Sequence, residues 1–241
     1  MIMTEERSNH LPHIGIVAGT ADGAALCYRT LCHEAERRTV GQAYPEITMH
    51  ALPLEAYLAS IDAGDWAGVA ALMARSASLL AHAGADLIIC PNNTLHCAFD
   101  LVVSPVPWVH IAAAVAAEAI RRNYRRVGLL GTQVTMQGSV YQPIFEHHGI
   151  EILLPPVPTR IELDRIIRTE LIRGHYLPRS WAYVQDLIST MAASGGVDAV
   201  ILGCTELPLL LSGKPVSLPL LDSTRLLASA ALTTSLLVLP P

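Results

Sequence analysis

One cysteine in this sequence stands where a thiol can do acid–base work. Cys204 closes the apolar run Ala199 to Gly203 and is followed at once by Thr205 and Glu206. A second polar cluster, Asn92-Asn93-Thr94, closes a similar apolar run after Cys90 and Pro91. Backbone N–H groups where a chain turns into a helix, joined by Asn and Thr side chains, make a cradle for a carboxylate. Thr20, and Thr132 with Thr135, add hydroxyl donors from two further turns. The cradle has few fixed cations, which suits a small acid better than a nucleotide phosphate; GxxxxGK[ST] is absent and no GxGxxG follows the first apolar run. The chemistry this set allows is removal and return of a proton beside a carboxylate. Such a proton is a weak acid, so its removal needs a base that desolvates at modest cost and donors that hold the enolate-like state. A thiolate is less strongly hydrated than a small oxyanion, and a helix N-terminus lowers its pKa. That is the state expected of Cys204 if a helix starts near Thr205. Glu206 then either orients Cys204 or caps its helix.

The two clusters belong to an internal repeat. Gly84-Ala-Asp86-Leu-Ile-Ile89-Cys-Pro-Asn92 parallels Gly196-Val-Asp198-Ala-Val-Ile201-Leu-Gly-Cys204, and eight positions separate glycine from tip residue in both. His13-Ile-Gly15-Ile-Val-Ala-Gly19-Thr20 likewise parallels Arg126-Val-Gly128-Leu-Leu-Gly131-Thr132. Gly15 precedes Asn92 by 77 positions and Gly128 precedes Cys204 by 76. Two matched pairs in the same order at the same separation point to two lobes of one construction.

The elements that must position these residues follow from the pattern. Runs at 13–17, 46–51, 86–90, 108–111, 126–130, 151–154, 199–202 and 219–221 read as strands, and most are continuous Val/Ile/Leu runs of the kind covered on both faces. Helical stretches at 66–82, 112–122, 161–173 and 181–193 alternate with them, ending at glycines or basic residues. The expected fold is α/β: two similar Rossmann-like lobes with parallel sheets, related by a pseudo-twofold axis, the site in the cleft where the strands' carboxyl ends face one another. Residues 1–110 form the first lobe, completed by a C-terminal helix at 222–241, and residues 111–221 the second.

Composition narrows the function. The chain has 241 residues, 51% hydrophobic and 15% charged, with a net charge of −5. That is ample material for a core and offers nothing to nucleic acid. The one cluster of basic residues, Arg121, Arg122, Arg125 and Arg126, reads as a helix end and the turn after it. The segment 1–13 lacks the apolar core of a signal peptide. The apolar stretch 226–239 is too short to span a bilayer and reads as a buried final helix. Five cysteines without CxxC spacing suit free thiols in the cytoplasm. Pyridoxal chemistry needs a Schiff-base lysine, and the only lysine, Lys214, lies in a Ser-Gly-Lys-Pro turn. His96-Cys97 with Cys90, and His147-His148, lack tetrahedral metal spacing, so no metal site is expected. Cys90 points to the same side of its strand as Asn92 but further back, and reads as a buried thiol. Cys27, Cys32 and Cys97 read as helix-packing residues, His96 as a helix-start residue at the cleft rim, and Asp222-Ser223-Thr224 as the N-cap of the last helix.

On these residues the chain resembles the aspartate/glutamate racemase family over nearly its whole length. The resemblance is carried by IGIVAGTADG, ADLIICPNNTLH, GLLGTQVTMQGSVY, DAVILGCTELPLLL and LLDSTRLLASAAL, of which GCTELP is the most specific. It implies two Rossmann-like lobes, a homodimer, no cofactor, and a substrate α-carbon held between two thiols, one removing the proton and the other returning one to the opposite face. Cys204 matches the second thiol, and Thr205 with Asn93 and Thr94 matches positions that hold the substrate carboxylate. The first thiol's position, in the family's PCNTxH, is occupied here by Asn92. An amide has no acid or base form near neutral pH. Members of the family carry Thr there in atypical racemases and Gly in arylmalonate decarboxylases.

Three explanations of Asn92 stay open: exchange run by Cys204 alone or with water, a one-thiol reaction, or an engineered replacement of Cys that traps substrate. The leading expectation is a cofactor-independent amino-acid racemase or epimerase. The alternatives are a one-thiol decarboxylase or cis–trans isomerase of a small dicarboxylate, and a non-catalytic carboxylate-binding relative. A second substrate carboxylate would call for an Arg or Lys clamp. None falls at 50–58, and Arg168 and Arg173 read first as helix-surface residues, so the substrate need not be aspartate or glutamate.

Overall fold

A computed structural model describes residues 12–38, 45–194 and 196–238. The leader reading of 1–13 falls almost wholly outside the described residues, as do the last residues of the expected C-terminal helix. Among the described residues, eight strands form two sheets: β1 (His13–Ala18), β2 (Glu46–Ala51), β3 (Leu87–Ile89) and β4 (Trp108–Val109) in one, β5 (Arg126–Gly131), β6 (Glu151–Leu153), β7 (Ala199–Gly203) and β8 (Leu220–Asp222) in the other. The strand orders are β2-β1-β3-β4 and β6-β5-β7-β8, and every pairing is parallel. The second sheet therefore repeats the first strand for strand.

Helices connect the strands: α1 (Ala21–Arg38), α2 (Leu54–Asp62), α3 (Trp66–His82), α4 (Ile111–Arg121), α5 (Gln133–Gln137), α6 (Gln142–His147), α7 (Val157–Thr169), α8 (Pro178–Ala193), α9 (Leu207–Leu210) and α10 (Ser223–Val238). No helix among the described residues is long and apolar enough to cross a membrane. The helix expected at 161–173 ends earlier: α7 stops at Thr169, and a separate 3-10 turn, Leu171–Arg173, ends at Gly174 with φ of 76°. Sequence reading gave α1 no bounds, marking only Cys27 and Cys32 as helix-packing residues there, and passed over α2.

The repeated residues have a mechanical role. Asp86 donates its N–H to the His13 carbonyl (2.8 Å) and accepts the His13 N–H on Oδ2 (2.9 Å). Asp198 does the same with Arg126 (2.8 and 2.9 Å) and also accepts the Arg125 N–H (2.7 Å). Each Asp ties the start of a central strand to its neighbour and so sets the level at which the strand ends. Gly84 and Gly196 sit at φ of 96° and 82°, a left-handed turn that a side chain would strain, two residues before each Asp. Because strand start and register are pinned alike, the strand tips carrying Asn92 and Cys204 fall at matching places. Central strands β1 and β7 are buried along their whole length, which explains their unbroken apolar sequence. Helix α10 packs against α1 and α4. Its N-terminus is capped by Asp222 Oδ1, which accepts the N–H groups of Thr224 and Arg225 at 3.0 Å each. The arginine cluster is spent on local ion pairs: Arg121 and Arg122 hold Glu118, and Arg126 holds Glu151.

Candidate active site

The carboxyl ends of β1, β3, β5 and β7 open into one cleft between the sheets, with about 680 Å³ of free space including its mouth. Thr20, Asn92, Asn93, Thr94, Thr132, Cys204, Thr205 and Glu206 all line it. Thr135 does not. It is fully buried behind the wall, where its hydroxyl meets Thr132 (2.9 Å) and Thr94 (3.1 Å) and its N–H is capped by Thr132 Oγ1 (3.1 Å). It steadies the two hydroxyls that do reach the cleft, themselves 3.0 Å apart.

Glu206 is the hub of the second lobe's side. It is 2% exposed, and its carboxylate accepts three side-chain donors. Cys204 Sγ–H donates to Oε2 at 3.1 Å and Thr205 Oγ1–H to the same oxygen at 3.0 Å. The Thr20 hydroxyl, from the turn after β1, donates to Oε1. One carboxylate thus joins the candidate thiol to the opposite lobe. Close backbone approach makes this possible: a Cβ at Gly23, in the first turn of α1, would lie 2.2 Å from Thr205 Oγ1.

The thiol is not in the state expected from sequence. Burial first, and the Glu206 charge second, hold Cys204 well above the ordinary thiol range, outweighing the nearby N–H groups of Glu206 and Leu207. The segment after Cys204 is also only a four-residue helix, Leu207–Leu210, and the one after Asn92 is a 3-10 helix, Thr94–Leu101. Neither supplies the dipole of a long α-helix. Cys204 therefore rests as a thiol, with its proton directed at the Glu206 carboxylate.

On the first lobe's side, Asn92 Oδ1 accepts the Leu95 N–H (3.1 Å), and the side chain rests on Gly19, where a Cβ would meet Nδ2 at 2.4 Å. Asn93 is locked at both ends of its amide: Nδ2 donates to Ser223 Oγ (3.0 Å) and Oδ1 accepts from Tyr141 OH (2.5 Å). Among the described residues, the backbone N–H groups of Asn93, Thr94 and Thr205 make no hydrogen bond, so they remain available to a carboxylate. His96 is not at the rim. It lies 3% exposed behind the cleft, with Nδ1 on the Asn92 carbonyl (2.8 Å) and Nε2 accepting the Ile111 N–H (3.2 Å). Those partners require the neutral Nδ1–H tautomer, and burial with His110 nearby lowers its pKa to about 3. Cys90 is fully buried and pushed up to about 12, an inert core thiol.

Several lining residues escaped sequence reading. Leu54, Leu58 and Ile61, with Tyr57, face the cleft from α2; their spacing of four and three residues is the one signal that marked them. Arg168, read as a surface residue, lines the cleft and pairs with Asp62 of α2 at 2.6 Å. Tyr176 OH donates to Asp22 in the first turn of α1 (2.6 Å), a second tie between segments far apart in the chain.

Residues 15–231 match the family model described as Asp/Glu/hydantoin racemase. The chain belongs to this family. A racemase-family structure, a putative Asp/Glu racemase from Yersinia pestis, superimposes with a TM-score of 0.82 at 30% identity, covering 94% of this chain and all of that one. An aspartate racemase homologue from Pyrococcus horikoshii gives 0.77 at 31% identity over 93% of this chain and 99% of that one. Among curated racemases, the broad specificity amino-acid racemase RacX of Bacillus subtilis is 27% identical over 157 residues, 64% of this chain and 66% of RacX. The glutamate racemase of Aquifex aeolicus is 30% identical over 141 residues, 56% of this chain and 51% of that enzyme. The chain thus spans between half and two thirds of these curated relatives. Racemases are isomerases, and the two-lobed α/β architecture is the family's.

Proposed function

We propose that this chain is a cofactor-independent isomerase that exchanges the α-proton of an amino acid or closely related small carboxylate. The observation that carries this reading is the Cys204 Sγ–H···Oε2 Glu206 hydrogen bond at 3.1 Å, buried in the inter-lobe cleft beside unpaired backbone donors. When substrate excludes water, Glu206 takes the proton of Cys204 and becomes a neutral acid. The thiolate then removes the α-proton, while the backbone N–H groups of Asn93, Thr94 and Thr205 hold the carboxylate as charge moves onto it. Thr20 and Thr205, already donating to Glu206, keep the carboxylate aimed at sulfur. Return of a proton from Cys204 and of one from Glu206 to sulfur completes the cycle without a cofactor. Inversion requires a proton on the opposite face, and Asn92 there offers only an amide, so a water gives its proton to carbon; Cys204 then keeps the substrate's proton, and Glu206 releases its own through solvent to the hydroxide left behind.

The commitment of Asn92 Oδ1 to Leu95 N–H favours a second reading, in which Cys204 serves one face alone, as in decarboxylation followed by protonation or cis–trans isomerisation. Incubation of each enantiomer of a panel of amino acids in D2O, followed by NMR and chiral chromatography, separates the cases. Exchange with interconversion supports racemisation. Exchange without interconversion, carbon dioxide release from disubstituted malonates, or conversion of maleate supports the one-face reaction. Silence in all of these, with Cys204→Ser no different from the parent, leaves a carboxylate-binding protein. The family resemblance also carries a homodimer, and the five cysteines without CxxC spacing suit a cytoplasmic setting; sedimentation tests the first and cell fractionation the second.

A further inference from the structure

Resting on the reading above, we infer that the substrate carries an uncharged, apolar side chain and not a second carboxylate. The donor-rich end of the cleft lies at the strand tips. Away from it, Leu54, Leu58 and Ile61 on α2 face Val134, Ile167 and Ile172 of the other lobe. This is a half-buried apolar slot where the substituent on the α-carbon would lie, and apolar walls with a few placed polar groups are how such clefts sort small ligands. Tyr57, between them, stays neutral: burial pushes its hydroxyl up to about 12.

Charge points the same way. Among the described residues, Arg168 is the sole cationic side chain in the lining, and it is already bonded to Asp62 at 2.6 Å. Asp164 lines the same region, its Oδ1 accepting the Gln133 N–H at 2.8 Å. Glu206 adds a further acidic group at the other end. A second substrate carboxylate would meet two acidic side chains and one cation that is in use. It would lose its hydration with no free clamp in return, which is unfavourable for a charged group in an apolar slot. A side chain the size of leucine, methionine or phenylalanine would exchange water for the slot's apolar wall.

The test uses two readouts on the full chain. In D2O, leucine, methionine and phenylalanine should exchange their α-protons with kcat/KM at least tenfold above aspartate and glutamate. In thermal unfolding, the same apolar amino acids, and not the dicarboxylates, should raise Tm. Asp62→Asn frees Arg168 and should move the glutamate-to-leucine ratio up at least tenfold in whichever readout is active. Faster exchange of aspartate or glutamate than of any apolar amino acid overturns the inference while leaving the isomerase reading intact. No exchange with any substrate, but a Tm rise from the apolar set alone, does the reverse. A Tm rise from dicarboxylates only, or from nothing in the panel, overturns the inference.

Discussion

Replacing Glu206 with Gln separates a proton-accepting role from a structural one. The carboxylate accepts three hydrogen bonds, two on Oε2 from Cys204 and Thr205 and one on Oε1 from Thr20. An amide of the same shape keeps one acceptor oxygen and turns the other position into a donor. If the oxygen stays toward Thr20, the NH2 faces Cys204 and Thr205, and Cys204 loses its base. If it flips, the Thr20 tie is lost. Positioned acid–base groups contribute about 10²- to 10⁴-fold, so α-proton exchange should fall by that factor. The thiol should move in the opposite sense. Glu206 is the second largest cause of the raised Cys204 pKa, after burial; without its charge the pKa falls and the thiolate fraction rises. Carboxymethylation at Cys204, followed by peptide mass spectrometry across pH 7 to 10, should therefore be faster in Glu206→Gln than in the parent at each pH. Stability should drop by about 1.5–3 kcal/mol for each charge-assisted bond lost, and denaturant unfolding checks that the fold survives. Unchanged exchange, or slower alkylation in a folded variant, would refute the assignment of Glu206 as the base for Cys204.

Gly23→Ala places a methyl 2.2 Å from Thr205 Oγ1, so the variant should stay folded yet lose at least tenfold in exchange by displacing Thr205, whereas Gly64→Ala, at an open turn with φ of 69°, should cost stability alone. Acid should destabilise the protein through His96 and His110, whose pKa values are lowered to about 3 and about 4. Below the ordinary histidine value of about 6.5 the unfolded chain binds protons that the folded chain refuses, so stability falls as pH drops, by up to about 1.4 kcal/mol per pH unit for each histidine. Urea midpoints at pH 4.5, 5.5 and 7 should show that slope, and it should flatten in His96→Asn if that variant folds. At high pH the sign reverses for the thiols. Burial holds Cys27, Cys90 and Cys204 protonated in the fold, so above about pH 8.5 the unfolded chain ionises first and Tm should decline; Cys90→Ala should decline less steeply.

The sequence alone determined the two-lobed plan. Its signal was redundancy: Gly84-Ala-Asp86 and Gly196-Val-Asp198 each recur before an apolar run, because in both lobes the Asp must clamp the start of the central strand. Strand identity was equally legible, since strands covered on both faces have no polar side to interrupt Val, Ile and Leu. The strand-tip residues followed by counting from those landmarks. Tertiary structure decided what counting could not. The Cys204 pKa depends on burial and on the Glu206 charge beside it, and Glu206 is tied to Thr20, 186 positions before it in the chain. Thr135 and Thr132 look equivalent as sequence, yet one is sealed behind the other. Arg168 reads as one more helix arginine until α2 brings Asp62 against it across the cleft. A local pattern encodes which face of an element is apolar. The charge state of a buried group is the sum of neighbours that only the packed lobes bring together.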